Sequence, residues 1–150
     1  MADKYGISHD RVHIEITESA IIDNEEFLKG QVDLFHKNGF EVWMDDFGSG
    51  YSSLNVLQDF DFDLIKLDMR FMKNFEVGNK NSIIVKQVIE MAKALNIHTL
   101  TEGVETEEQK NFLNEVGCER IQGYYYSKPD TLDNLKHKVS EGSLPEIESW

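Results

Sequence analysis

Two adjacent carboxylates, Asp45 and Asp46, close an apolar run in Phe40-Glu-Val-Trp-Met-Asp-Asp-Phe-Gly-Ser-Gly50. Neighbouring carboxylates repel one another, and on a regular strand they would point to opposite faces, so keeping both at an apolar strand end is costly unless a cation compensates. A divalent metal supplies that compensation. A pair of carboxylates can bridge or share two metals, the arrangement used for in-line attack on phosphodiesters. Taken alone, the same residues also fit a solvated turn in which an Asp caps Phe47-Gly48-Ser49-Gly50. Kinases hold magnesium with an Asp-Phe-Gly triplet, but this chain has neither a Gly-rich loop before a strand nor a His-Arg-Asp catalytic loop, so that likeness is coincidental.

Other residues could join the pair. Lys66 interrupts the apolar run Leu64-Ile65-Lys66-Leu67, and a buried ammonium needs an anionic partner, either the metal carboxylates or a substrate phosphate; the alternative is a surface lysine on an edge strand. Glu102 and Glu105 flank Gly103, which permits a tight turn aiming both inwards, although acidic residues also suit the start of a helix. Glu15 and Glu18, in Ile14-Glu-Ile-Thr-Glu-Ser19, fit a site or a capping arrangement. Gln122, followed by Tyr124, Tyr125 and Tyr126, offers an amide and aromatic faces to a base, or simply packs a strand. His13, His36, His98 and His137 have no metal-ligand spacing among them.

The elements that must position these groups follow from the hydrophobic rhythm. Short apolar runs alternate with stretches of helical period, which predicts five βα units around a parallel sheet. Strands are expected over 12–16, 40–44, 64–67, 97–101 and 120–125. Helices are expected over 24–38, 53–58, 79–95, 107–115 and 132–140, with Gly39 and Gly117 as stops. The first of these helices brings Phe27, Val32, Leu34 and Phe35 near one another; the third carries Ile83, Ile84, Val88, Met91, Ala92 and Leu95 at spacings of three and four. Each strand ends in or just before a polar group: Glu15, Asp45 with Asp46, Lys66, Glu102 and Gln122. In a (β/α) barrel the carboxyl ends of the strands carry the active site, so such residues from five strands would converge on one pocket. A doubly wound open sheet would draw on fewer strands, and the barrel is therefore the favoured α/β architecture.

Composition narrows the setting. The 150 residues suffice for one core, and residues 1–140 are expected to form one unit with 141–150 as a frayed tail. A net charge of −13 disfavours DNA, RNA and anionic membrane surfaces, and a phosphate ligand would need bound metal to neutralise it. The lone Cys118 is read as a packed core residue. No run reaches the roughly 18 apolar residues of a membrane span, and the polar start is unlike a secretory signal, so a cytoplasmic protein is expected.

In order, Glu15-Ile-Thr-Glu18, Asp45-Asp-Phe-Gly-Ser-Gly-Tyr-Ser-Ser-Leu54, Lys66-Leu-Asp68, Glu102-Gly-Val-Glu105 and Gln122-Gly-Tyr-Tyr-Tyr-Ser-Lys-Pro129 resemble the EAL-domain phosphodiesterases of bacterial cyclic di-GMP signalling. The resemblance spans about 12–140. It implies a (β/α)8 TIM-type barrel that hydrolyses cyclic di-GMP to linear pGpG with two Mg2+ or Mn2+ ions. By the same resemblance Glu15, Asp45, Asp46 and Glu102 are metal ligands, Lys66 orients or activates the attacking water, with Glu102 also catalytic, and Glu18 anchors the loop after the Asp pair. Glu105 and Gln122 stand near metal and substrate. Ser49 replaces the family's commoner threonine, a conservative change. A barrel of this kind has roughly 250 residues, and this chain corresponds to its last five βα units. The Glu-Ala-Leu motif with its metal-binding glutamate, and a later asparagine ligand, are absent, so the chain is expected to be a fragment or a remnant with little or no activity alone. A degenerate cyclic di-GMP-binding or protein-interaction module is the alternative. An open five-stranded arc also predicts a homo-oligomer, through the barrel edges or the loop after Asp46.

Overall fold

The computed structural model describes residues 2–50 and 53–142. Five strands, β1 (His13–Thr17), β2 (Glu41–Phe47), β3 (Leu64–Leu67), β4 (His98–Thr101) and β5 (Arg120–Ile121), lie side by side in chain order. Every neighbouring pair is parallel. The crossovers carry α1 (Glu18–Asp23) and α2 (Glu25–Lys37), then α3 (Ser53–Asp59), α4 (Lys80–Ala94) and α5 (Glu107–Val116), while α6 (Leu132–Ser140) follows β5. Strand order that advances without reversal is the progression of a barrel wall, whereas a doubly wound sheet reverses at its switch point.

Alternation along the strands sorts side chains to the two sheet faces. Ile16, Val42, Met44, Ile65 and Leu67 turn to the helices and join Val85, Ile89, Ala92 and Leu113 in the main core. Trp43, Leu64 and Leu100 turn the other way and form a small cluster of their own. Cys118 packs in the main core as expected, its sulfur 3.2 Å from the hydroxyl of Thr101.

Four differences from the sequence expectation have physical causes. The extra helix α1 starts because Thr17 caps it, accepting a hydrogen bond from the Ala20 amide at 3.4 Å. Strand β2 runs three residues past its expected end and takes in both Asp45 and Asp46, with a bulge between Met44 and Phe47. Strand β5 stops at Ile121 because Gly123 presses against the Val104 backbone; Val104 donates to the Gln122 carbonyl and Tyr125 donates to that of Val104. The apolar rows on two helices are also only partly packed. On α2, Val32 is buried and Phe35 packs on the core, but Phe27 and Leu34 are exposed. On α4 the buried row is Val85, Ile89 and Ala92, while Ile83, Ile84 and Leu95 face outwards. Helices this rich in apolar residues present two candidate rows, and contact with the sheet selects one. The expected tail lies largely outside the described residues. Among those described, no helix is long and apolar enough to cross a membrane.

Candidate functional site

At the carboxyl ends of β1 to β4, three carboxylates close on one ammonium. Lys66 Nζ lies 2.9 Å from Asp45 Oδ1, 3.0 Å from Glu102 Oε1 and 3.2 Å from Glu15 Oε1. Glu15, Asp45 and Lys66 share the face opposite the helices on adjacent strands, and Glu102 directly follows β4. An ammonium has three N–H donors, and here each meets a carboxylate. The Lys66 side chain is only 9% exposed. Burial by itself would pull its pKa down, but the hydrogen bonds it donates to Asp45, Glu102 and Glu15 outweigh burial and hold it above the ordinary lysine value. Lys66 is therefore an interior cation, and the surface-lysine alternative is excluded.

Asp46 turns elsewhere. Between Met44 and Phe47 β2 spends one more residue than β3 does, and Asp46 absorbs the bulge with a left-handed φ of 58°. Asp tolerates that region better than most residues. Its side chain hydrogen-bonds Asp68, and burial, with the nearby charges of Asp45 and Asp68, raises its pKa. Asp68 is held by Arg70 through Nε at 2.9 Å, Nη2 at 3.3 Å and the backbone amide at 2.7 Å. Although burial opposes it, these bonds lower the Asp68 pKa. Spacing alone assigns no role to Asp68 or Arg70; the one signal in the sequence is Asp68 standing two residues after Lys66.

Glu18 does not cap α1, whose N-cap is Thr17; it is tied to the loop after the Asp pair instead. It opens α1 and is 1% exposed, and its carboxylate accepts the Gly50 amide at 3.1 Å, tying the loop after the Asp pair to β1. A Cβ on Gly50 would collide with that carboxylate. Gly103 makes the expected turn with φ +71°. Glu105 and Gln122 are exposed and stay out of the Lys66 cluster; Gln122 contributes its backbone, donating to Thr101 and accepting from Val104.

The donor set suits a hard divalent cation. It is all carboxylate oxygen, the chemistry of magnesium, calcium and manganese rather than of soft metals. Three carboxylates around one ammonium leave two negative charges uncompensated, so the cluster invites a further cation. As arranged here they face Lys66, and among the described residues no three His, Cys, Asp or Glu side chains stand ready to enclose a metal. Asp46, turned to Asp68, is the candidate ligand furthest from that cluster's hydrogen bonding.

Fold and site together define part of an α/β barrel, with an acidic, lysine-centred site at its strand ends. The chain belongs to the EAL domain family, whose model matches residues 1–129. That match begins eleven residues before the 12–140 stretch of motif resemblance and ends before α6. The probable cyclic di-GMP phosphodiesterase PdeG of Escherichia coli strain K12 is 38% identical over 122 residues, 81% of this chain and 24% of that protein. The crystal structure of the EAL domain of Mycobacterium smegmatis DcpA superposes with a TM-score of 0.85 at 33% identity, over 96% of this chain and 65% of that one. A manganese/cyclic di-GMP complex of Klebsiella pneumoniae BlrP1 gives 0.79 at 32% identity, over 84% of this chain and 32% of that chain. The chain spans between 17% and 24% of the length of the curated relatives it matches.

Proposed function

We propose that this chain carries most of the site of a metal-dependent phosphodiesterase that hydrolyses cyclic di-GMP to linear pGpG. The observation that carries the reading is the convergence of Glu15, Asp45 and Glu102 on Lys66 at the strand ends. Two divalent cations, Mg2+ or Mn2+, held by Glu15, Asp45, Asp46 and Glu102 would supply charge neutralisation at the phosphate and acidify a bound water. Lys66 is held protonated and has no lone pair to accept a proton, so it acts by donating hydrogen bonds that orient the attacking water or meet a phosphate oxygen. The water's proton then has the carboxylates, Glu102 among them, as acceptors. Glu18 holds the Phe47–Gly50 turn against β1, and Glu105 and Gln122, exposed outside the Lys66 cluster, would support substrate binding.

In isolation the chain has little turnover, because the described strands form an open arc and ligand count and geometry set both affinity and rate. Residues 1–140 act as one unit, and two copies associate through the outer edges of β1 and β5 or through the loop after Asp46. Incubation with cyclic di-GMP and manganese, followed for pGpG, tests this: slow turnover abolished by Asp45→Asn fits, and turnover indifferent to that substitution refutes it. Light scattering that finds only monomer at high concentration refutes the association. A second reading, a metal-independent cyclic di-GMP-binding module, draws support from Lys66 filling the point where the carboxylates meet. Calorimetry separates the two, since such a module binds nucleotide equally well in EDTA.

A further inference from the structure

We propose that Trp43 is a positioning residue: with Leu64 and Leu100 it forms a dry floor that shuts water away from the Lys66 ammonium and sets the height of the charged layer above it. The positioning half rests on the phosphodiesterase reading of that layer; the floor itself does not. Trp43, Leu64 and Leu100 stand two residues before Asp45, Lys66 and Glu102. On neighbouring parallel strands that spacing puts them on the same face, one layer down. They are 8%, 1% and 8% exposed and form a cluster separate from the core beneath the helices.

The indole is clamped on several sides. The His13 ring stacks on it at 4.0 Å and 15°, and the Arg120 guanidinium lies 5.0 Å from the ring centroid. Its N–H donates to Glu41 Oε2 at 3.0 Å. The indole is therefore satisfied at its one polar atom, and Leu64 and Leu100 have no polar side-chain atom with which to hold a water. With no water beneath, Lys66 must place all three N–H bonds on carboxylates, and that is the pattern seen. Sites of this kind tolerate displacements of only about 0.5 Å before function falls. The ring thus fixes where Asp45 and Lys66 sit without touching a reacting atom.

The test reads proton exchange of the Lys66 ammonium in 1H–15N spectra of the full chain, without metal or nucleotide. The unsubstituted chain should show a slowly exchanging Lys66 signal, and Trp43→Ala should speed exchange by about tenfold or more as water enters. Trp43→Phe should keep it slow. If Trp43→Ala does not fold by circular dichroism, Trp43→Leu takes its place and should exchange faster than Trp43→Phe. A Lys66 signal unprotected in the unsubstituted chain, or unaffected by the shortened side chain, overturns the floor. Manganese affinity of the same folded variants, read by calorimetry, should fall about tenfold with Ala or Leu and hold with Phe; an unchanged affinity overturns the positioning role. A chain whose Lys66 is protected by Trp43 but which binds no manganese refutes the proposed function and leaves the floor intact.

Discussion

Replacing Lys66 with methionine keeps most of the side-chain volume and removes the charge on which Glu15, Asp45 and Glu102 converge. Removing one partner of a fully buried pair costs about 3–5 kcal/mol, because the other charge stays buried and uncompensated. Here the carboxylates are partly hydrated, with side chains 45%, 22% and 23% exposed for Glu15, Asp45 and Glu102, so solvent relieves part of the cost. A loss of about 3 kcal/mol is expected, which lowers Tm by roughly 10 °C in a chain of this size. The Lys66 pKa lies above its unfolded value, so its stabilisation is fully present below about pH 10 and is lost only as pH rises through the folded pKa. The deficit of Lys66→Met should therefore stay nearly constant between about pH 6 and pH 9. Manganese should then narrow it, since the freed carboxylates gain a cation that binds only the folded chain. Thermal melts of both proteins in EDTA and in excess manganese make the check. A variant as stable as the unsubstituted chain in EDTA refutes the electrostatic reasoning. Manganese that raises the Tm of neither protein refutes the assignment of these carboxylates as metal ligands.

Three further outcomes are expected. Glu18→Ala removes the carboxylate that accepts the Gly50 amide and should cost about 2 kcal/mol, with faster amide exchange at Gly50 measured against an unchanged α4. Gly123→Ala forces a Cβ into the Val104 backbone and should cost about 2 kcal/mol or more in chemical denaturation, far beyond the effect of Gly30→Ala, where the space is open. Asp130 binds Lys138 at 2.8 Å, Asn134 at 2.6 Å and the Thr131 amide at 2.8 Å, which lowers its pKa to about 2. A depressed carboxylate stabilises above its unfolded pKa and stops doing so as pH falls through the folded value. Protection of the α6 amides should therefore fall between about pH 4 and pH 2, and Asp130→Asn should lack that acid step.

Much of the site was legible because alternation along a strand is a local property. The backbone pleat alone places Glu15, Asp45 and Lys66 on one face, and the βα rhythm alone places that face at the carboxyl ends of parallel strands. The pattern of an apolar run ending in a polar group therefore nominated Glu15, Asp45, Lys66 and Glu102 without any tertiary information, but it nominated Asp46 and Gln122 as well, and these stay out of the cluster. The sequence also determined the net charge of −13, which asks for a cation wherever phosphate is to bind.

What depends on register was decided only in three dimensions. The bulge in β2 exists because that strand pairs with β3 out of step between Met44 and Phe47, and it separates Asp46 from Asp45 and delivers it to Asp68 and Arg70. The apolar rows of α2 and α4 were ambiguous for the same reason: a helix shows its own periodicity, but only the sheet it packs on selects the buried row. Strand β5 was cut short by backbone from the preceding βα loop, a contact between segments some twenty residues apart. For Asp45 and Asp46, the residue types and their place at a strand end were written locally. Their separation into two different partnerships came from the pairing of strands, which single-chain periodicity does not encode.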